Sequence, residues 1–280
     1  MIKRPFFSLG KSELKYPVVD TQEQDVIRVI PIPDRVTFFL EGPYEENKGL
    51  LLRPGDRIKT GQKLKIREDK PCYFISSVTG TIAGISEYKG YLGKPYTAIS
   101  VNAVSEDQWD DKFKKDDPKP TLETSLKFLG CLPGDTGFIA NLDTHSPLRA
   151  IIINGVDKDI LVSTNQLIVQ TETDNLKTGI EYLGAVTGAD EIMIAVLPEL
   201  ASLAGETGAD VKVIDPIYPN TLPEMMMKTV LGKTLPADKT WGEIEVELIN
   251  AEAVVALSHA FTKKQIPVSK LLTVINKDHT

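Results

Sequence analysis

The chain has 280 residues, 41% of them hydrophobic, and a net charge of −7. That length has room for about two domains at the usual one per 100–200 residues, each with its own core. An acidic chain without clustered Lys and Arg is poorly suited to neutralising phosphates, so no nucleic-acid partner is expected.

No apolar run reaches the roughly 18 residues that read as a membrane span, so no transmembrane segment is expected. The opening MIKRPFFSLGKSELK lacks the apolar core of a signal peptide. The expected location is the cytoplasm, with docking on a membrane complex open to it. Cys72 and Cys131 are too few for a cluster held by four thiolates and read as small core or near-surface residues. His145, His259 and His279 show no metal-ligand spacing, and no metal site is expected.

In chain order, residues 1–30 read as an N-terminal arm, closing on VIRVIPIP, whose alternation predicts a short strand stopped by prolines. Residues 31–103 read as an all-β module of short strands (RVTFFLEG, LLLRPGDRIKTGQKLKI, CYFISSVTGTIAGISEYKG, YTAISVNAV) punctuated by glycine turns. The spacing PGDRIKTGQKLKI…SSVTGTIAGI resembles the barrel-sandwich hybrid of biotinyl and lipoyl domains. Lys70, in EDKP, lies near where such domains carry an acylated lysine. A carrier with lipoate or biotin on Lys70 is one reading, and a plain turn lysine is the other.

Residues 104–120, which include SEDQWDDKFKKDDPKP, are charged and aperiodic and read as a linker. Beyond them, 121–280 reads as a Rossmann-like α/β domain. It opens with a helix over Leu122–Leu129 capped by Thr121 or Thr124. RAIIING then reads as a buried strand and 165–187 as a broken helical period. EIMIAVLP follows as strand, ELASLAGETG as helix and ADVKVIDPIYP as strand. A helix with Met225, Met226 and Met227 as packing residues comes next, then a strand in EIEVELIN, a helix in AEAVVALSHAFTKKQ and a last strand in KLLTVIN. Strands and helices that alternate at this spacing imply a parallel sheet with right-handed crossovers.

The stretch Gly130 to Gln166 has the layout of a nucleotide pocket. A glycine-containing loop, GCLPGDTGFIANL, precedes the strand that ends in Asn154-Gly155 and the acidic Asp157 and Asp159. Phosphates need N–H groups exposed by close glycines, and a ribose or nicotinamide needs a carboxylate or amide at a strand end. Here the acidic half is full and the glycine half thin.

The order of a GDRIKTGQ-like turn, the glycine loop, the IING strand end and the segment YPNTLPEMMMKTVLGKTLP…ELINAEAVVALSHAFTKKQIPVSKLLTVIN resembles the RnfC family. RnfC is the NADH-facing subunit of an electron-transport complex, related to NqrA and to the flavin-binding subunit of complex I. The resemblance covers roughly residues 30–278. It implies that the family's glycine loop falls on Leu132–Ile139, where Gly134, Gly137 and Phe138 match and Asp135 stands in place of glycine. A carboxylate there sits where phosphate would approach. The family's acidic strand end falls on Asn154, Gly155, Asp157 and Asp159.

FMN and NADH are therefore the implied cofactors, with Gly134, Gly137, Phe138, Asn154, Asp157 and Asp159 as the implied binding residues. No catalytic residue is assigned. RnfC proteins continue into a ubiquitin-like SLBB module and a ferredoxin-type segment with CxxCxxC runs. Neither is found up to Thr280, so no iron–sulfur cluster is expected in this chain, a pattern nearer the NqrA branch.

Three readings follow. The first is a scaffold or docking subunit of a membrane redox complex, peripheral on the cytoplasmic side of the inner membrane, with other subunits as partners. The second is an active NADH:FMN oxidoreductase module. The third is a carrier modified at Lys70.

Overall fold

The computed structural model describes residues 27–44, 50–65, 73–130, 132–134, 138–142, 148–159, 161–236, 238–239 and 242–274. They divide into two compact units, 27–141 with 259–270, and 142–258 with 271–274. Lys70, Cys72, Cys131 and His145 lie outside the described residues.

The first unit is β-rich. Its strands are β1 (Arg35–Glu41), β2 (Arg57–Ile58), β3 (Lys63–Lys65), β4 (Tyr73–Ile75), β5 (Gly80–Lys89) and β6 (Pro95–Ala103). β1, β6, β5 and β2 form one antiparallel sheet in that order, and β3 pairs with β4 separately. Alternation decides which side is core. Val36 sits opposite Val101 and Phe38 opposite Ile99, and these join Ile58, Leu64, Val78 and Ile82 in one apolar cluster.

VIRVIPIP forms no strand over its described part, 27–33, where Val29 is 91% exposed. Pro31 and Pro33 remove two of the backbone donors that a ladder would use.

The charged segment after β6 is tied to this unit. Thr60 bridges Trp109, the Thr79 hydroxyl donates to Asp107 at 3.0 Å, and Gln108 N donates to the Thr79 oxygen at 2.8 Å. The short helix α1 (Lys112–Lys115) buries Phe113, whose ring lies 5.0 Å from that of Phe128. Phe128 closes α2 (Leu122–Phe128), which Thr121 caps by accepting from Thr124 N. α3 (Phe138–Asn141) follows.

The second unit alternates strand and helix. Its elements are β7 (Ala150–Asn154), α4 (Thr164–Thr171), α5 (Thr173–Thr187), β8 (Glu191–Val196), α6 (Ala201–Gly205), β9 (Asp210–Val213), α7 (Pro223–Leu231), β10 (Val246–Asn250) and the start of α8 (Ala251–Lys263), which from 259 on belongs to the first unit. The four strands are parallel in the order β10-β7-β8-β9. β7 lies between two neighbours, and Ile151, Ile152 and Ile153 have no exposed surface, as a strand covered on both faces requires. Met226 and Met227 are fully buried against Ala150, Ile152 and Met193, which is the packing role their sequence suggests.

The broken helical period of 165–187 resolves into α4 and α5, divided at Glu172, whose backbone leaves the helical region. Gly179 lets α5 approach α8 closely. A Cβ there would stand 2.3 Å from the carbonyl oxygen of Val254. KLLTVIN is not a strand over its described residues, because Leu271 N donates instead to Glu252 Oε1 at 2.6 Å.

Candidate functional site

The sheet order fixes where a ligand would be received. From β7 the chain steps outward to β8 and β9, then returns to place β10 on the other side of β7. Successive crossovers therefore diverge between β7 and β10, and in open α/β sheets ligands bind outside the carboxyl ends of strands at such a switch point. Both strands end there in asparagine, at Asn154 and Asn250, which are register partners.

The polar groups at this edge are turned toward one another. Asn154 Nδ2 donates to Asn250 Oδ1 at 3.2 Å, and Asn154 Oδ1 accepts from Val156 N at 3.1 Å. The second bond is a side-chain turn that bends the chain off the end of β7. Gly155 follows, its N–H bonded to the Ala195 carbonyl at 2.8 Å. A Cβ on Gly155 would meet Ala195 O and Val196 Cγ1 at 2.8 Å and Val169 Cγ2 at 2.9 Å. Glycine here answers a packing demand between β8 and α4.

Asp157 is 4% exposed. Its carboxylate accepts from Asn165 N at 3.1 Å, Asn165 Nδ2 at 3.3 Å, Gln166 N at 3.3 Å and Gln166 Nε2 at 3.5 Å. Asn165 and Gln166 open α4, whose flanking Ser163 makes no side-chain cap. Asp157 thus serves as the cap from eight residues upstream of Asn165, satisfying orphan N–H groups and placing negative charge at a helix N-terminus. Burial pushes its carboxyl above the usual value, and the donated hydrogen bonds offset only part of that. Because the amide N–H groups of Asn165 and Gln166 face Asp157, their oxygens Oδ1 and Oε1 are buried without partners among the described residues.

Of the six residues implied as cofactor-binding, the five that are described fall in two units. Gly134, with φ +76, and the buried Phe138 belong to the β-rich unit. Asn154, Asp157 and the exposed Asp159 belong to the parallel-sheet unit. Gly137 lies outside the described residues. Asn250, Asn165 and Gln166 are not singled out by the sequence. The pair IIIN and ELIN, two apolar runs each ending in Asn, carries the signal for Asn250. Among the described residues no group of three or more His, Cys, Asp or Glu is placed to hold a metal, and no helix is long and apolar enough to cross a membrane.

A parallel four-stranded sheet with this switch point places the second unit in the Rossmann-like α/β class. No protein-family model matches the chain. Curated relatives do. The chain is 21% identical over 266 residues to the RnfC component of the ion-translocating oxidoreductase complex of Yersinia pseudotuberculosis serotype O:3 (strain YPIII), covering 89% of this chain and 38% of that protein. The component of the same name from Pectobacterium carotovorum subsp. carotovorum (strain PC1) is 22% identical over 277 residues, covering 92% of this chain and 37% of its own length. The chain spans about two-fifths of the length of these relatives. The resemblance to RnfC proteins read from the sequence therefore holds over about nine-tenths of it.

Among solved structures, NAD+-reducing [NiFe]-hydrogenase in the H2-reduced state aligns with a TM-score of 0.41 at 14% identity, covering 55% of this chain and 33% of that one. The air-oxidised state of the same hydrogenase aligns with a TM-score of 0.41 at 12% identity, over 50% of this chain and 30% of that one. Likeness at that level carries no functional assignment.

Proposed function

We propose that this chain is an RnfC-like or NqrA-like peripheral subunit of a membrane-associated electron-transport complex, acting as a docking scaffold whose FMN/NADH pocket is degenerate. Its partners are the other subunits of that complex, met on the cytoplasmic face. Within the β-rich unit, 31–103 is read as the barrel-sandwich hybrid, and 121–280 is read as the Rossmann-like domain, although 121–141 and 259–270 group with the β-rich unit.

The observation that carries this reading is the state of Asp157. A carboxylate that positions a ribose must turn outward, whereas this one spends its lone pairs on four N–H groups of α4. Asn154 likewise has both ends of its amide engaged. The strand-end residues thus do not fit a flavin or nicotinamide in the manner the resemblance implies, and no hydride-transfer step is assigned to them.

A second reading, an active NADH:FMN module, is favoured by one feature, the unpartnered oxygens of Asn165 and Gln166. Two buried acceptors suit a ligand that brings N–H donors. Absorbance of the purified protein separates the two. A scaffold yields colourless protein, whereas a flavin band bleached by NADH establishes the enzyme. Intact mass addresses the carrier reading, since lipoate or biotin on Lys70 adds a fixed increment.

A further inference from the structure

The opposite edge of the parallel sheet carries a cavity of about 630 Å³ that no reading above uses. α7 packs Met226 and Met227 on the sheet face built from Ala150, Ile152, Met193 and Ala195, and its last residues, Val230 and Leu231, reach the cavity at the amino ends of the strands.

The cavity has a mixed lining. Met193, Val230, Leu231, Ile244 and Val246 line it, and Val230, Leu231 and Ile244 are partly buried hydrophobics on the edge of the core cluster. The charged groups around it are unevenly matched. Lys212 pairs with Asp210 at 2.7 Å, while Arg149, Lys233 and Glu191 form no ion pair among the described residues. A cavity of this size, lined by apolar side chains together with charged ones, has the character of a small-molecule site, and the unpaired charge is net positive.

We propose that this cavity binds a small amphipathic anion, its hydrocarbon body against Val230, Leu231 and Met193 and its carboxylate or sulfonate met by Arg149 and Lys233. The site lies at the amino ends of β7, β8, β9 and β10, away from the switch point, so it stands whether or not the opposite edge binds a nucleotide.

The test is a fluorescence titration of the full chain with the aryl sulfonate dye anilinonaphthalene sulfonate, followed by competition with decanoate and with decanol. Saturable binding of one dye per chain is expected, displaced by decanoate and not by decanol at equal concentration. Arg149→Glu with Lys233→Glu should weaken dye binding about tenfold, as expected for losing hydrogen bonds to a charged group. Val230→Trp, which fills the recess, should abolish it. Absence of saturable binding, or a dye signal that neither variant alters, overturns the proposal. Equal displacement by decanol overturns the role of the two cations. Should Val230→Trp fail to fold, the double charge variant, on an exposed border, decides alone.

Discussion

Asp157 ties the chemistry of the strand end to the stability of the unit. Its raised carboxyl binds a proton in the folded state at a pH where the unfolded chain has already released it. Stability from this group is therefore full below the ordinary aspartate value and falls as pH rises through the raised one. Asp157→Asn should remove that dependence, visible as a flatter plot of melting temperature against pH from the acid side to neutrality than the parent shows. A parent profile indistinguishable from the variant's would mean that the carboxylate is not buried as described. Asn154→Ala removes the acceptor for Val156 N and the donor to Asn250. It should cost about 1–3 kcal/mol in denaturant unfolding, the penalty for leaving buried groups unsatisfied. A loss well under that range would indicate that water replaces the amide.

At the scale of elements, close approach of backbones sets what the packing tolerates. Gly179→Ala would drive a Cβ toward the Val254 carbonyl, and α5 must shift from α8 to admit it. Despite the better helix propensity of alanine, destabilisation of about 1–3 kcal/mol is expected, the usual range for overpacking. A stabilised variant would show that the two helices part freely. β7 is the other fixed point. Ile152→Ala should cost about 2–5 kcal/mol in the same unfolding measurement, since the residue is fully buried and the parallel sheet leaves little room for collapse around it.

The elements themselves are largely legible in the sequence. The Ile run of β7, the methionines of α7 and the cap at Thr121 all declare local structure through propensity and period. VIRVIPIP and KLLTVIN show where such signals stop. Both have strand composition, but a strand also needs a neighbour with free donors, and nothing in a local pattern supplies one. The site is half legible. Asn154 and Asp157 stand out as polar residues after an apolar run. Their partners do not, because Asn250 lies 96 residues away and Asn165 is reached only when the loop folds back onto α4.

For the whole molecule, the chain has a net charge of −7, divides into two units and matches about two-fifths of the length of its curated relatives, and the role proposed for it is that of a docking scaffold. The scaffold role rests on the claim that the polar groups at the switch point are spent on holding α4, β7 and β10 together. A shift in melting temperature with cofactor tests this most directly, because any ligand that binds the folded state alone must raise it. The intact chain, melted with and without FMN and NADH at concentrations far above those of ordinary cofactor sites, should show no shift. A concentration-dependent rise of several degrees with either cofactor, lost in Asn154→Ala, would contradict it.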